Sequence, residues 1–155
     1  MSERIRRELP ELERVVARVE RAMASAQRHP EDQDLYLDSA ALNLHDFYVG
    51  LERVLHYIAV NLDRSTPVGS EWHRELLLQM SLSLPQIRPP VLSSDTIKAL
   101  DEYRRFRHLV RNVYAFDFDA ERLQERARSL RVTFERVRSE LLAFADFLDQ
   151  LAQSA

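Results

Sequence analysis

Apolar residues recur along most of this chain in alternating steps of three and four. That spacing places them on one face of a helix, because an α-helix has about 3.6 residues per turn. The longest apolar stripes are Ile5, Leu9, Leu12, Val16, Val19 and Met23; Leu37, Ala41, Leu44, Tyr48, Leu51, Leu55, Ile58 and Leu62; and Leu123, Ala127, Leu130, Phe134, Val137, Leu141, Phe144, Leu148 and Leu151. Such stripes are typical of helices that pack nearly antiparallel in a bundle.

Helix-breaking residues separate these segments. The pair His29-Pro30 ends the first helix, and Pro10 either begins that helix or bends it. The Ser-Thr-Pro-Val-Gly segment at residues 65–69 ends the second helix. A shorter third helix follows Ser70, and its apolar side consists of Trp72, Leu76, Leu77 and Met80.

Prolines at 85, 89 and 90 form an irregular connection to a fourth helix, for which Ser93 or Ser94 is the expected N-cap. Its apolar stripe consists of Ile97, Leu100, Tyr103, Phe106, Val110 and Val113. Asp119 is expected to cap the fifth helix. No segment alternates with the period of a β-strand. We therefore predict an all-α, up-and-down antiparallel bundle of about five helices.

The composition is that of a folded domain. With 155 residues, 45% hydrophobic and 30% charged, the chain is expected to form a single domain over residues 1–155. It has no cysteine, which excludes disulfides and thiolate metal sites. Its two glycines are too few for a phosphate-binding glycine loop. No apolar run is long enough to span a membrane and no apolar leader is visible, so we expect a cytoplasmic protein.

No acid falls between Glu102 and Asp117, so this part of the segment 101–119 is a basic island in a chain whose net charge is −3. The arginines of the island are Arg104, Arg105, Arg107 and Arg111. On an ideal helix Arg107, Arg111 and Tyr114 share one face, with His108 and Asn112 in a neighbouring row.

The spacing of the basic island leaves two interpretations open. A concentrated positive patch beside an imidazole suits a phosphodiester ligand. A solvated helix face whose arginines pair with acids on neighbouring helices has the same pattern.

The segment Phe-Arg-His-Leu-Val-Arg-Asn-Val-Tyr at residues 106–114 resembles the motif of the HEPN superfamily, in particular that of HepT-like toxins. Arg107 matches the motif arginine, His108 the polar residue after it and Tyr114 the tyrosine. Asn112 stands where the family has its histidine. Residues 44–52 and the pair at residues 72–73 also resemble a HepT-like subgroup, so the likeness extends over most of the chain.

The resemblance implies a metal-independent endoribonuclease that needs no cofactor and acts as a homodimer. The RNA 2′-hydroxyl would attack the adjacent phosphate, which requires a base, an acid and a fixed positive charge. The implied catalytic residues are Arg107, His108 and Asn112, with Arg104 and Arg111 binding RNA. Because an asparagine amide does not titrate, His108 is the neighbouring imidazole available for proton transfer.

Tyr114 resembles the acceptor of AMP in this family. The resemblance then implies a type VII-like toxin–antitoxin pair, in which the antitoxin is a minimal nucleotidyltransferase that AMPylates this tyrosine. The added anion would cover the arginines and block RNA. The alternative is a non-catalytic HEPN subunit that binds RNA or presents a substrate to its partner nucleotidyltransferase. A structural tyrosine that packs against the fifth helix is the simpler interpretation of Tyr114.

Other polar groups are weaker candidates. Glu52 and His56, with His45 before them, have the wrong spacing for a di-metal unit and no second unit follows, so we expect no metal. Asp46 and Glu52 are expected to pair with arginines in the bundle interior or at a subunit interface, and His73 to belong to a partner surface.

Overall fold

The computed structural model of the chain describes residues 1–112 and 120–155, with side chains as far as residue 107 and again from residue 120. These residues contain five α-helices, namely α1 (Ser2–Arg28), α2 (Gln33–Ile58), α3 (Trp72–Met80), α4 (Ser94–Asn112) and α5 (Ala120–Ser154). A 3-10 turn (Pro30–Asp32) precedes α2, and a π-helical turn (Ala59–Asp63) extends it. The described ranges contain no strand beyond one isolated bridge, so the all-α prediction is confirmed.

The predicted apolar stripes form the hydrophobic core. Nearly all of their described members are buried or half-buried, whereas Leu151 at the end of α5 is 46% exposed. Pro10 lies inside α1, so the alternative that it begins this helix is wrong. Ser93 caps α4 as predicted, because its Oγ accepts a hydrogen bond from the Thr96 amide at 3.3 Å. The proposed cap at Asp119 and the stripe residues Val110 and Val113 lie outside the described side chains.

Helix α2 is central to the bundle, because it packs against each of the other four helices. Its Phe47 ring makes edge-to-face contacts with Tyr103 of α4 and Phe134 of α5, at centroid distances of 5.9 and 6.3 Å. The Tyr103 hydroxyl stays hydrogen-bonded, since it donates to the Arg126 carbonyl of α5 at 3.0 Å. These contacts fix α4 and α5 against the inner face of α2.

A buried ion pair holds α3 in place. Arg88, in the connection between α3 and α4, binds the Asp63 carboxylate through Nε at 2.5 Å and Nη2 at 2.7 Å, and both side chains are fully buried. Gln79 at the end of α3 donates to the same carboxylate at 2.7 Å. Since Asp63 ends the π-helical turn after α2, this cluster, which we call the Asp63 clip, ties α2, α3 and the connection together.

The Asp63 clip yields a stability prediction. Arg88→Ala should lower the free energy of unfolding by about 3–5 kcal/mol, because the buried Asp63 carboxylate loses its counter-charge. Urea denaturation would measure this change. Arg138→Ala is the control, because Arg138 is 49% exposed in its pair with Glu135 and should cost under about 1 kcal/mol. Equal losses in the two variants would contradict this account.

Candidate nucleic-acid site

Three helices bring Arg107, Glu52 and His73 into contact. Glu52 lies on α2, His73 on α3 and Arg107 on α4. The Glu52 carboxylate is 2.6 Å from Nδ1 of His73 and accepts a hydrogen bond from Nη1 of Arg107 at 3.3 Å. The same Nη1 lies 2.8 Å from Nδ1 and 3.3 Å from Nε2 of the His73 ring. We call these three residues the Arg107 cluster.

Water is largely excluded from the Arg107 cluster. The exposed fractions of the side chains are 8% for Glu52, 15% for Arg107 and 20% for His73. Charges in such a site are screened far less than charges on a helix surface. A carboxylate buried to this degree requires a nearby counter-charge, and Arg107 supplies it. The prediction that Glu52 pairs with an arginine is thereby confirmed.

Two opposing contacts meet at Nδ1 of His73. The Glu52 carboxylate, which only accepts, lies 2.6 Å away and favours a hydrogen on Nδ1, whereas Nη1 of Arg107, which only donates, lies 2.8 Å from the same nitrogen. The shorter contact with Glu52 favours the tautomer with its hydrogen on Nδ1. In the neutral ring, Nε2 then keeps its lone pair. The Trp72 ring stacks against the imidazole with centroids 3.6 Å apart, and the ring of His56 meets Trp72 edge-on at 6.1 Å. Trp72 and Glu52 together hold the imidazole in one orientation.

Two buried polar groups at this site have no hydrogen-bond partner within the described residues, the Tyr48 hydroxyl and Nε of Arg107. Tyr48 lies one helical turn before Glu52 and is 1% exposed. Burial, and next the charge of Glu52, raise the pKa of Tyr48, whereas Arg104 and Arg107 oppose the shift. The hydroxyl therefore stays neutral throughout the physiological range.

The other described arginines of the basic island are less distinctive. Arg104 and Arg105 both pair with Asp101, at 2.7 and 3.1 Å, and Arg105 is 66% exposed. Arg105 fits the solvated-face interpretation, although its acid lies on α4 itself rather than on a neighbouring helix, whereas the Arg104 side chain is 19% exposed. Arg105 and Arg122 also line one groove of about 180 Å³ between α4 and α5. Arg107 thus differs from Arg105 in burial, and from both arginines in the helices that it joins.

Several predicted site residues fall outside the described side chains. These are His108, Arg111 and Asn112, together with Tyr114. The structure adds His73, an imidazole that sequence reasoning assigned to a partner surface. His108 follows Arg107 directly in the sequence, whereas His73 is 34 residues away, so only the helix packing brings it to Arg107. The Trp-His pair at 72–73, already part of the family resemblance, was the one sequence signal for this position.

The family of the chain follows from its sequence as a whole. A family model described as "HepT-like protein" matches residues 39–148, which is more than half of the chain. The chain therefore belongs to the HepT-like family, and its helical bundle is HEPN-like. Membership suggests a toxin of a toxin–antitoxin pair with ribonuclease activity. No curated protein and no solved structure matches the chain significantly.

Two further features are absent from the described residues. No group of three or more histidine, cysteine, aspartate or glutamate side chains within them lies close enough to hold a metal ion. None of the described helices combines the length and the apolar character required to cross a lipid bilayer.

Tyr48 provides a test of the packing at this site. Tyr48→Phe should raise the free energy of unfolding at neutral pH by about 1 kcal/mol, because it removes a buried hydroxyl that has no partner among the described side chains. Thermal or urea unfolding would measure the gain. Tyr36→Phe is the control, because Tyr36 is a half-buried tyrosine in the same helix. Destabilisation by Tyr48→Phe would show that this hydroxyl is hydrogen-bonded in solution.

The raised pKa of Tyr48 also fixes the sign of an alkaline effect. Above about pH 10 a tyrosine loses its proton in the unfolded chain but keeps it at this position in the fold. The contribution of this group to the free energy of unfolding is therefore complete below pH 10. Above pH 10 the free energy of unfolding falls by about 1.4 kcal/mol per pH unit for each such tyrosine. Tyr48→Phe should make the decline between pH 10 and 11 less steep.

Proposed function

We propose that this chain is the toxin of a type VII-like toxin–antitoxin pair and a metal-independent endoribonuclease. The main support for this proposal is the position of Arg107, the motif arginine, which lies in a water-poor cluster with a carboxylate and an imidazole. A guanidinium in this setting suits the charge that develops on a phosphate under attack. Arg107 contacts both Glu52 and His73 through Nη1, and Nη2 takes part in neither contact.

The proposed reaction is cleavage at an RNA 2′-hydroxyl. The 2′-oxygen attacks the adjacent phosphorus and leaves a 2′,3′-cyclic end, while Arg107 stabilises the oxyanion. Arg104 and Arg111 belong to the RNA-binding surface in this proposal, and His108 and Asn112 remain with Arg107 as the motif residues. This reaction requires neither a metal ion nor a cofactor.

The proposal includes the partners implied by the family. The nucleotidyltransferase antitoxin would attach AMP to the hydroxyl of Tyr114, which lies outside the described residues. A phosphate at this position of the motif would compete with RNA for the arginines. The whole of residues 1–155 would act as one cytoplasmic domain. Helix α1 supports this view, because it packs against α2 and α5 although the family match begins at residue 39.

The replacement of the motif histidine by Asn112 supports a second candidate function. A HEPN subunit without a proton-transfer group would bind RNA, or present a substrate to the nucleotidyltransferase, without cleaving it. The two candidates predict the same surface and differ only in product. RNA that is bound and recovered intact would favour this second function.

RNA cleavage by arginine variants tests the proposal. The wild-type chain should cut a random-sequence RNA pool to products with 2′,3′-cyclic ends, and Arg107→Ala should slow cutting by about 10² or more because the oxyanion loses its counter-charge. Arg105→Ala is the matched control, since Arg105 is exposed and pairs only with Asp101 among the described residues. Cutting should be followed at fixed salt, with circular dichroism to confirm the fold.

Two results would contradict the ribonuclease proposal. One is the absence of cyclic ends with the wild-type chain. The other is an equal loss in the Arg105→Ala and Arg107→Ala variants, which would indicate a diffuse electrostatic patch rather than a site.

A homodimer is the expected oligomer. Two basic islands in one cleft would follow the RNA backbone on both sides of a cut, and the phosphates would offset the repulsion between them. Light scattering at micromolar concentration should give twice the 18.2 kDa chain mass. A monomer alone at that concentration would contradict the dimer without affecting the assignment of Arg107.

A further inference from the structure

The proposed reaction lacks a base at the position of the motif histidine, and His108 lies outside the described side chains. Asn112 stands at the position of the motif histidine, and its amide cannot take up a proton in the accessible pH range. Within the described side chains, the imidazole in contact with Arg107 is that of His73. His73 is therefore the candidate base, and its suitability depends on the contacts of its two ring nitrogens.

The ring of His73 is oriented as a base would need. With the hydrogen on Nδ1 directed to Glu52 at 2.6 Å, the lone pair of neutral Nε2 faces Nη1 of Arg107 at 3.3 Å, and a substrate hydroxyl would replace this contact. The charged groups in contact with the ring among the described residues are Glu52 from α2 and Arg107 from α4. A phosphate bound by Arg107 would thus place its neighbouring ribose within reach of Nε2.

Glu52 would assist the proton transfer through His73. A carboxylate hydrogen-bonded to Nδ1 holds the productive tautomer and stabilises the imidazolium that forms when Nε2 takes up a proton. At 8% exposure, Glu52 is poorly screened by water, which strengthens this effect. Trp72 adds a stacked face that limits rotation of the ring.

We propose that His73 is the general base of the RNA cleavage proposed above, with Glu52 as its positioning residue, an inference that rests on that proposed function. Nε2 of His73 takes the proton of the 2′-hydroxyl as the 2′-oxygen forms its bond to phosphorus. The bond from phosphorus to the 5′-oxygen breaks, and the 5′-oxygen leaves with the bonding pair and takes a proton from water. The imidazolium then returns its proton to the solvent.

The test compares histidine variants of the full chain on the random-sequence RNA pool. His73→Asn removes Nε2 but keeps an N–H that can donate to Glu52 in place of Nδ1. Its cleavage rate should fall by about 10² or more, whereas RNA affinity and melting temperature should change little. His56→Asn is the matched control, since His56 contacts Trp72 and lies on the exposed side of α2.

Two further variants separate catalysis from structure. Added imidazole should restore part of the activity of His73→Ala but none of that of Arg107→Ala. Glu52→Gln keeps the shape and an acceptor oxygen but loses the charge, so kcat should fall by about tenfold or more with KM unchanged. A purely structural Glu52 would instead lower the melting temperature and the RNA affinity together.

The possible failures are distinguishable. If His73→Asn cuts like the wild type while Arg107→Ala does not cut, the role of His73 is overturned and the proposed ribonuclease stands. If the wild type forms no cyclic ends, the proposed function fails, and this inference fails with it. If His73→Asn loses RNA binding or stability in parallel with cleavage, and imidazole does not rescue His73→Ala, His73 is a structural residue.

Discussion

The need to compensate a buried carboxylate is the constraint on which the arrangement of this site depends. Glu52 lies on the central helix with its side chain 8% exposed, and an unpaired charge there would cost several kcal/mol. Its partners come from two other helices, His73 of α3 and Arg107 of α4. The short helix α3 and the motif arginine are therefore held in place by the same negative charge, and the requirements of folding and of the site coincide.

Helix α3 is fixed at both ends by charged groups rather than by apolar packing alone. Its first turn carries His73, bound to Glu52, and its end carries Gln79, bound to the Asp63 clip. Between these ends Leu76, Leu77 and Met80 are buried in the common core. Because α3 is held at both ends, His73 keeps a defined position in the Arg107 cluster, as a preorganised site requires.

The arginines of the basic island differ in how strongly each would attract a phosphate. Arg104 and Arg105 share the single carboxylate of Asp101, and Arg105 is 66% exposed, so water and salt weaken its attraction for phosphate. Arg107 is also paired, but in a water-poor cluster where hydrogen-bond geometry and charge persist. The arginines of the basic island are therefore not equivalent. Burial distinguishes Arg107 from Arg105, and its partners on α2 and α3 distinguish it from both Arg104 and Arg105.

Local sequence determined the helices, and tertiary packing determined the site. The steps of three and four residues predicted the apolar stripes of the helices, and proline and glycine predicted the breaks near residues 29 and 65. The serines at 93 and 94 were the two predicted caps of α4, and Ser93 is the one that forms the hydrogen bond. All of these signals depend on neighbours within one or two turns. The family motif also singled out Arg107. The contact of His73 with Arg107, and that of Glu52 with both, join residues 21 to 55 positions apart. Helical periodicity does not predict contacts at such separations, because these contacts depend on how α2, α3 and α4 cross. Only the folded bundle could therefore place an imidazole beside the motif arginine.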